Sequence, residues 1–277
     1  MIKKYGVHIA LAIVILLTLV TLAGCSNSSK VSENKETKTA FDKIKESGKI
    51  VLGTCADYPP YEFHKQVNGK DEIVGFDIEV AKEIAKDLGV ELEIKDMDFK
   101  GLLASLQTGN IDFVVAGMTP TPERKESVDF SKVYYDAEQG LLVRAEDIEK
   151  FQSIDELKGM RVGAQKGTIQ EKAAQTKIEN AQVKALGKIT DLALELKNKK
   201  VDGVVLVLPV AEAYAKANPD LALSPYINFG KEGEGVSIAI KKGEQELVDA
   251  INKTIDKLME EKLLDKFIKD ATILSEE

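Results

Sequence analysis

The stretch Gly75-Phe76-Asp77-Ile78-Glu79-Val80-Ala81-Lys82-Glu83-Ile84-Ala85-Lys86-Asp87-Leu88-Gly89-Val90-Glu91-Leu92-Glu93-Ile94-Lys95 changes its period at Gly89. Before the glycine, Val80, Ala81, Ile84, Ala85 and Leu88 recur at helical spacing, which predicts an amphipathic helix over 77–88. Gly89 ends it. After the glycine, Val90, Leu92 and Ile94 alternate with Glu91, Glu93 and Lys95, the period of a strand. Upstream, Ile50-Val51-Leu52 is a short apolar run closed by Gly53, consistent with a buried strand. Downstream, Leu102, Leu103 and Leu106 mark a helix, and Ile111 to Ala116 is an apolar strand broken only by Asp112. A βαβα order of this kind predicts parallel sheets covered by helices, an α/β fold.

The unit occurs twice. Leu102, Leu106, Ile111, Asp112, Val114 and Val115 match Leu192, Leu196, Val201, Asp202, Val204 and Val205 at a constant offset of 90 residues. Each copy reads as a helix, a polar turn, an acidic residue opening a strand, and a Val-Val core, so two similar lobes are expected. In the second, Arg161-Val162-Gly163-Ala164 reads as a strand, and 168–177, 190–198 and 209–217 read as helices. The chain becomes irregular after Ser224, through Gly230, Gly233 and Gly235. A strand over Val236–Ile240 and helices at 244–260 and 262–269 then suggest a return to the first lobe. The expected division is 41–137 with 233–277 for one lobe and 138–232 for the other, hinged near 136–140 and 228–236.

The N-terminus reads as a secretion signal over 1–24. Lys3 and Lys4 precede an apolar run from Ile9 to Ala23, interrupted by Thr18 and Thr21 and short for a spanning helix. It closes in Leu22-Ala23-Gly24-Cys25, which looks like a lipobox, with the signal removed and the Cys25 thiol acylated. The alternative is an uncleaved anchor with an incidental cysteine, and either reading places the remainder outside the cytoplasm. Residues 25–40, poor in apolar side chains, read as a flexible tether. The chain carries a formal charge of −8, and losing a leader whose charges are Lys3 and Lys4 brings it to −10. Such acidity argues against nucleic acid, and against adhesion to an anionic membrane by charge, leaving the lipid to do the anchoring. Cys25 and Cys55 are the two cysteines, so acylation of the first leaves the second unpaired. No CxxC or Cys/His cluster suggests a metal, and no cofactor is expected.

The opening motif, from Gly75 to Leu88, fits the signature of the family 3 (polar amino acid) solute-binding proteins of ABC transporters. Further segments resemble that family in the same order. Gly53-Thr54 to Tyr58-Pro59-Pro60-Tyr61-Glu62-Phe63 resembles its first strand and aromatic loop. Thr119-Pro120-Thr121-Pro122-Glu123-Arg124 resembles its carboxylate-binding segment, and Gln165-Lys166-Gly167-Thr168 its second-lobe anion loop. The resemblance runs from about Phe41 to Ala271. It implies the type II periplasmic-binding-protein fold, a small ligand trapped between closing lobes, a monomer anchored by lipid, and a permease as partner.

Residue roles follow from the matched positions. Arg124 is expected to grip the ligand carboxylate with its planar fork. Thr119 would add its amide and hydroxyl, and Gly117 a carbonyl for an ammonium. Thr168 starts a helix, where unpaired N–H groups favour an anion, and an ordinary N-cap role is compatible with that. Tyr58 and Phe99 match the rings that sandwich the ligand side chain, with core packing as the alternative. Gln165 matches the side-chain end of the pocket, and Asp57 is either a contact for a cationic side chain or solvated surface. Two positions depart from the family pattern. Val207 stands where many relatives carry an acid for the α-ammonium, and Cys55 where some carry an acid for basic side chains. Asp57, Asp136 or Glu138 would have to compensate, or the ligand lacks a free amine, or affinity is low. Arginine or glutamine is the expected ligand. A dehydratase-like enzyme and a sensor subunit are the competing functions. His64 is the one histidine of the body, which leaves little for acid–base catalysis.

Overall fold

The structure is a computed structural model that describes residues 38–276. The signal segment, Cys25 and most of the tether lie outside the described residues. The folded body starts slightly earlier than the sequence suggested. Thr39 caps a helix over Ala40–Ser47, accepting from the Asp42 amide while Asp42 accepts from the Thr39 amide, a reciprocal capping box.

Two five-stranded sheets organise the body. Strands β1 (Lys49–Thr54), β5 (Glu91–Asp96), β6 (Phe113–Val114), β7 (Val128–Phe130) and β13 (Ala239–Lys241) form the first, in the order β5-β1-β6-β13-β7. Strands β8 (Gln139–Arg144), β9 (Arg161–Gln165), β10 (Gln182–Leu186), β11 (Gly203–Val207) and β12 (Leu221–Gly230) form the second, in the order β10-β9-β11-β8-β12. A three-stranded meander of β2 (Asp57–Tyr58), β3 (Glu62–Val67) and β4 (Lys70–Val74) sits between β1 and the Phe76–Leu88 helix in sequence.

The expectation of parallel sheets is corrected to mixed ones. In each sheet three strands run parallel, the next one (β13 or β8) runs against them, and the edge strand (β7 or β12) pairs antiparallel with it. The reason lies in connectivity. The strand next to the parallel trio is β13 in one sheet and β8 in the other, and each follows a chain segment arriving from the other sheet. No helical crossover precedes such a strand, so nothing forces it parallel. The two crossings run side by side, with Tyr135 and Val236 in an antiparallel bridge and the Val236 amide 2.8 Å from the Tyr135 carbonyl. Val236 therefore belongs to a crossing, and the strand expected over Val236–Ile240 is confined to β13. The final helix runs over Leu263–Glu276, further than expected, because Ala271 continues its buried face.

The duplicated unit has a physical basis in its acidic residue. Asp112 accepts from the Val51 amide at 2.8 Å, and its own amide donates to the Val51 carbonyl at 2.8 Å. Asp202 does the same to Arg161, at 3.0 Å and 2.6 Å, and also grips the Arg161 guanidinium at 2.8 Å and 3.1 Å. Each carboxylate thus continues the parallel ladder past the strand end, which sets the register of its neighbour. Around it Leu102, Leu106 and Val114 are buried, as are Leu192, Leu196 and Val204. We expect Asp202→Ala to cost about 1–3 kcal/mol by leaving the Arg161 amide without its acceptor. Asp112→Ala, at a more exposed position, should cost less. Urea denaturation with an unchanged m-value checks both.

The Phe76–Leu88 helix is the expected one, begun a residue earlier. Its apolar stripe of Phe76, Val80, Ile84 and Leu88 is buried in the same core as Ile50 and Leu52 of β1. Each such side chain contributes roughly 1.5–3 kcal/mol. Asp77, in the first turn, is buried as well, which points toward the site.

Candidate functional site

Loops that leave the C-terminal ends of strands in both sheets converge on one narrow, partly open gap, with free space of about 10 Å³ between its walls. Tyr58, Phe99, Gly117, Thr119 and Arg124 line it from the first sheet's side, and Gln165 and Thr168 from the second. Seven of the nine sequence-predicted positions therefore meet around one gap. Asp57 and Val207 do not line it.

Arg124 is carried by a short helix over Pro122–Ser127, which Thr121 caps by accepting from the Arg124 amide at 3.3 Å. Its guanidinium donates to the Thr119 carbonyl at 2.7 Å and to the Gly167 carbonyl, on the opposite lobe, at 3.0 Å. The Phe99 ring lies 5.2 Å from the guanidinium carbon. Burial lowers the group to about 10, so it stays charged at neutral pH. Thr119 thus serves Arg124 through its carbonyl, a contact not anticipated from sequence. Phe99 is buried and faces the arginine, in a cation–π contact.

Gly117 follows β6 with φ of +53°, and a Cβ there would come within 3.0 Å of the Tyr58 ring. Only glycine allows the chain to turn this close to the aromatic loop. Its amide donates to Asp77 at 2.9 Å, and the Tyr134 hydroxyl donates to the other Asp77 oxygen at 2.8 Å. Thr168 is the N-cap of the Ile169–Lys177 helix, accepting from the Glu171 amide at 3.2 Å. The same residue faces the gap, so the two expected roles coincide.

Val207 is buried at the end of β11 and offers the site no carboxylate. Asp57 is buried rather than solvated, and its carboxylate is taken up by groups of the second lobe. Burial raises it, against the Ile189 amide and Lys188. The other two acids considered as substitutes are engaged on the exterior, Asp136 with Lys231 and Glu138 with Asn228 at 2.6 Å.

The acid in the gap is Glu62, which was quoted within the aromatic loop but given no role. It opens β3, is 1 % exposed, and its Oε2 has no hydrogen-bond partner among the described residues. Burial, then the neighbouring Asp77, Asp57 and Asp96, push it well above the usual carboxylate range. Asp77 is itself raised to about 6 by burial. No sequence signal marked Glu62, because strand alternation would turn a carboxylate between Tyr61 and Phe63 to the face opposite the two rings, whereas Glu62 and Phe63 are both buried. Gln170 was missed too. It bridges the gap's two sides, donating to the Tyr58 hydroxyl at 3.3 Å and to Gln139 at 2.7 Å.

The model for bacterial extracellular solute-binding proteins, family 3, matches residues 50–270. The arginine-binding extracellular protein ArtP of Bacillus subtilis is 38 % identical over 251 residues, covering 90 % of this chain and 91 % of that one. The glutamine-binding protein GlnH of an ABC transporter in the same organism is 34 % identical, covering 94 % and 95 %. Among solved structures, the amino acid ABC transporter substrate-binding protein AbpA of Streptococcus pneumoniae, bound to L-arginine, superposes with a TM-score of 0.82 at 43 % identity. That match covers 85 % of this chain and 99 % of the other. The expected type II periplasmic-binding-protein fold, two α/β lobes on a two-segment hinge, is the fold of these relatives. On the match to most of its length and on identities of this order, the chain belongs to the bacterial extracellular solute-binding proteins of family 3.

Proposed function

We propose that this chain captures a cationic α-amino acid, with arginine the best fit, and delivers it to the permease of an ABC transporter. One observation carries the reading: a single gap is lined by a half-buried guanidinium and by a buried carboxyl with an oxygen that has no partner among the described residues. Such a pair of opposite charges suits a zwitterionic or cationic ligand, whose carboxylate goes to Arg124 and whose cationic group goes to Glu62. Tyr58 and Phe99 then flank a planar side chain, and Thr168 adds a hydroxyl. The relatives are named as binding proteins, which favours capture over dehydratase chemistry. The lobes divide at 137/138 and 232/233 in this reading. Anchoring by a lipid on Cys25 completes it, as a monomer on the outer face of the cell membrane.

The test is titration calorimetry of the protein against arginine, lysine, histidine, glutamine and deaminated arginine. Arginine should bind at least tenfold tighter than glutamine, and deaminated arginine more weakly than arginine. Glutamine binding as tightly as arginine would remove the case for a cationic ligand.

A second expectation concerns Glu62 alone. The group is raised in the free protein, and a bound cation favours its charged form, so binding must release protons. Release on binding means that affinity for arginine rises with pH, while the ligand itself stays cationic. Glu62→Gln should weaken arginine binding by tenfold or more and flatten this pH dependence. Calorimetry at pH 5.5 and pH 8 reads both effects, and an unaltered pH profile in the variant would assign the proton elsewhere.

A further inference from the structure

The Ile189–Lys197 helix begins without a cap of its own. Lys188 occupies the N-cap position and makes no side-chain capping bond. The first amide of the helix instead donates to Asp57, at 2.6 Å, and Asp57 belongs to the other lobe. The same carboxylate accepts from Gln165 Nε2, 3.3 Å from each oxygen, while that nitrogen also donates to the Gly187 carbonyl at 3.0 Å. The Asp57 carbonyl accepts from the Tyr214 hydroxyl at 2.9 Å. Lys188 reaches back to Asp96 at 3.2 Å, an ion pair that crosses between the lobes beside the cap. The surfaces are tight here, since a Cβ on Gly187 would lie 2.8 Å from an Asp98 oxygen.

An orphaned helix N-terminus wants a carboxylate, both for its N–H groups and for its dipole. A helix whose own cap residue cannot supply one is incomplete until the opposite lobe arrives. We propose that Asp57 is a positioning residue that latches the two lobes, capping the Ile189–Lys197 helix across the cleft and fixing the Gln165 side chain against the pocket. Those bonds run beside the pocket and do not pass through its occupant. Closure is therefore stabilised partly by the protein itself, and the ligand supplies a smaller share of the free energy of closing. Gln165, held by Asp57 and Gly187, presents a fixed amide to the ligand side chain and loses little freedom on binding.

The inference rests on the reading of the gap as an amino-acid pocket, and the experiment keeps the two apart. Small-angle scattering of wild type and Asp57→Ala is recorded without ligand and with saturating L-arginine, beside calorimetry with L-arginine. Without ligand the variant should show a larger radius of gyration than wild type, and with arginine the two should coincide. The dissociation constant for arginine should rise about tenfold or more. Weakened binding with an unchanged ligand-free radius would mean that Asp57 acts on the ligand directly, and overturns the latch. An unchanged radius with unchanged binding overturns it as well. If wild type does not bind arginine, the pocket reading fails while the ligand-free radii still decide the latch.

Ile189→Pro attacks the same bond from the donor side. It removes the amide at the first helical position, where proline is tolerated, and Lys188 with φ −118° and ψ 141° already has a conformation that a following proline accepts. It should open the ligand-free protein as Asp57→Ala does, and the double variant should open it no further. Additive opening in the double variant overturns the shared bond. Circular dichroism of each variant confirms that the comparison is between folded proteins.

Discussion

Arg124→Ala should bind arginine about 100-fold more weakly, with a far-UV spectrum like that of wild type. Among the described residues the guanidinium is the one cationic side chain lining the gap, and burial has already depressed it to about 10, so its positive charge is poorly screened by water. Removing one partner of a buried charge pair costs about 2–5 kcal/mol, a loss on the order of 100-fold in affinity. The fold should tolerate the change. The Pro122–Ser127 helix buries none of its residues, and of the two carbonyls that lose a donor the one on Gly167 is exposed to water. Arg124→Lys separates charge from shape. It keeps the positive charge and loses the fork, so it should recover part of the affinity. Calorimetry and thermal unfolding together check the set. Arginine binding within tenfold of wild type in Arg124→Ala would remove the carboxylate role from this residue.

What was legible in the sequence was what repeats or alternates. The 90-residue offset was readable because Asp112 and Asp202 do the same work, each continuing a parallel ladder from a side chain. The core faces of both copies were readable because helix and strand periods differ. The meander of β2 to β4 was not, since Glu62-Phe63-His64-Lys65-Gln66-Val67 buries only its first two residues and shows no sustained alternation. The antiparallel strands β8 and β12 escaped for a related reason. Gln139–Arg144 is buried along its whole length, so its run carries no period. At the site, residues named by motif were found where loops converge. Gln170 and the true surroundings of Asp57 were not, because their partners lie in the other lobe, more than 100 residues away in sequence, and Glu62 was not, because its segment carries no period that marks an inward side chain. The Asp57 alternatives of ligand contact and solvated surface both missed a third, a cap given to a distant helix.

Gly75 joins the fold-deciding motif to the site, and Gly75→Ala is expected to damage both. Its φ is +130° with ψ 168°, a conformation that side chains rarely adopt. A Cβ would lie 2.1 Å from the Tyr61 carbonyl oxygen and 2.9 Å from the Glu62 amide nitrogen, so backbone has to move. That backbone is also what caps the helix. Gly75 offers no side-chain cap, and the amides of Phe76 and Asp77 donate instead to the carbonyls of Pro60 and Tyr61, at 3.1 Å and 3.0 Å. Pushing Tyr61 away breaks those bonds and shifts Tyr58 and Glu62, which the same loop carries. Backbone strain and overpacking each cost about 1–3 kcal/mol, so a loss of roughly 3 kcal/mol or more is expected, about 10 °C in melting temperature. Gly48→Ala provides the contrast. Gly48 also has a positive φ, +68°, but nothing lies within 4 Å of its Cβ position, so only the left-handed penalty of about 1–2 kcal/mol applies. Arginine affinity should fall in Gly75→Ala and stay level in Gly48→Ala. Equal melting temperatures for the two variants would show that the Tyr61 contact yields without cost, and would cut the link drawn here between the helix start and the pocket.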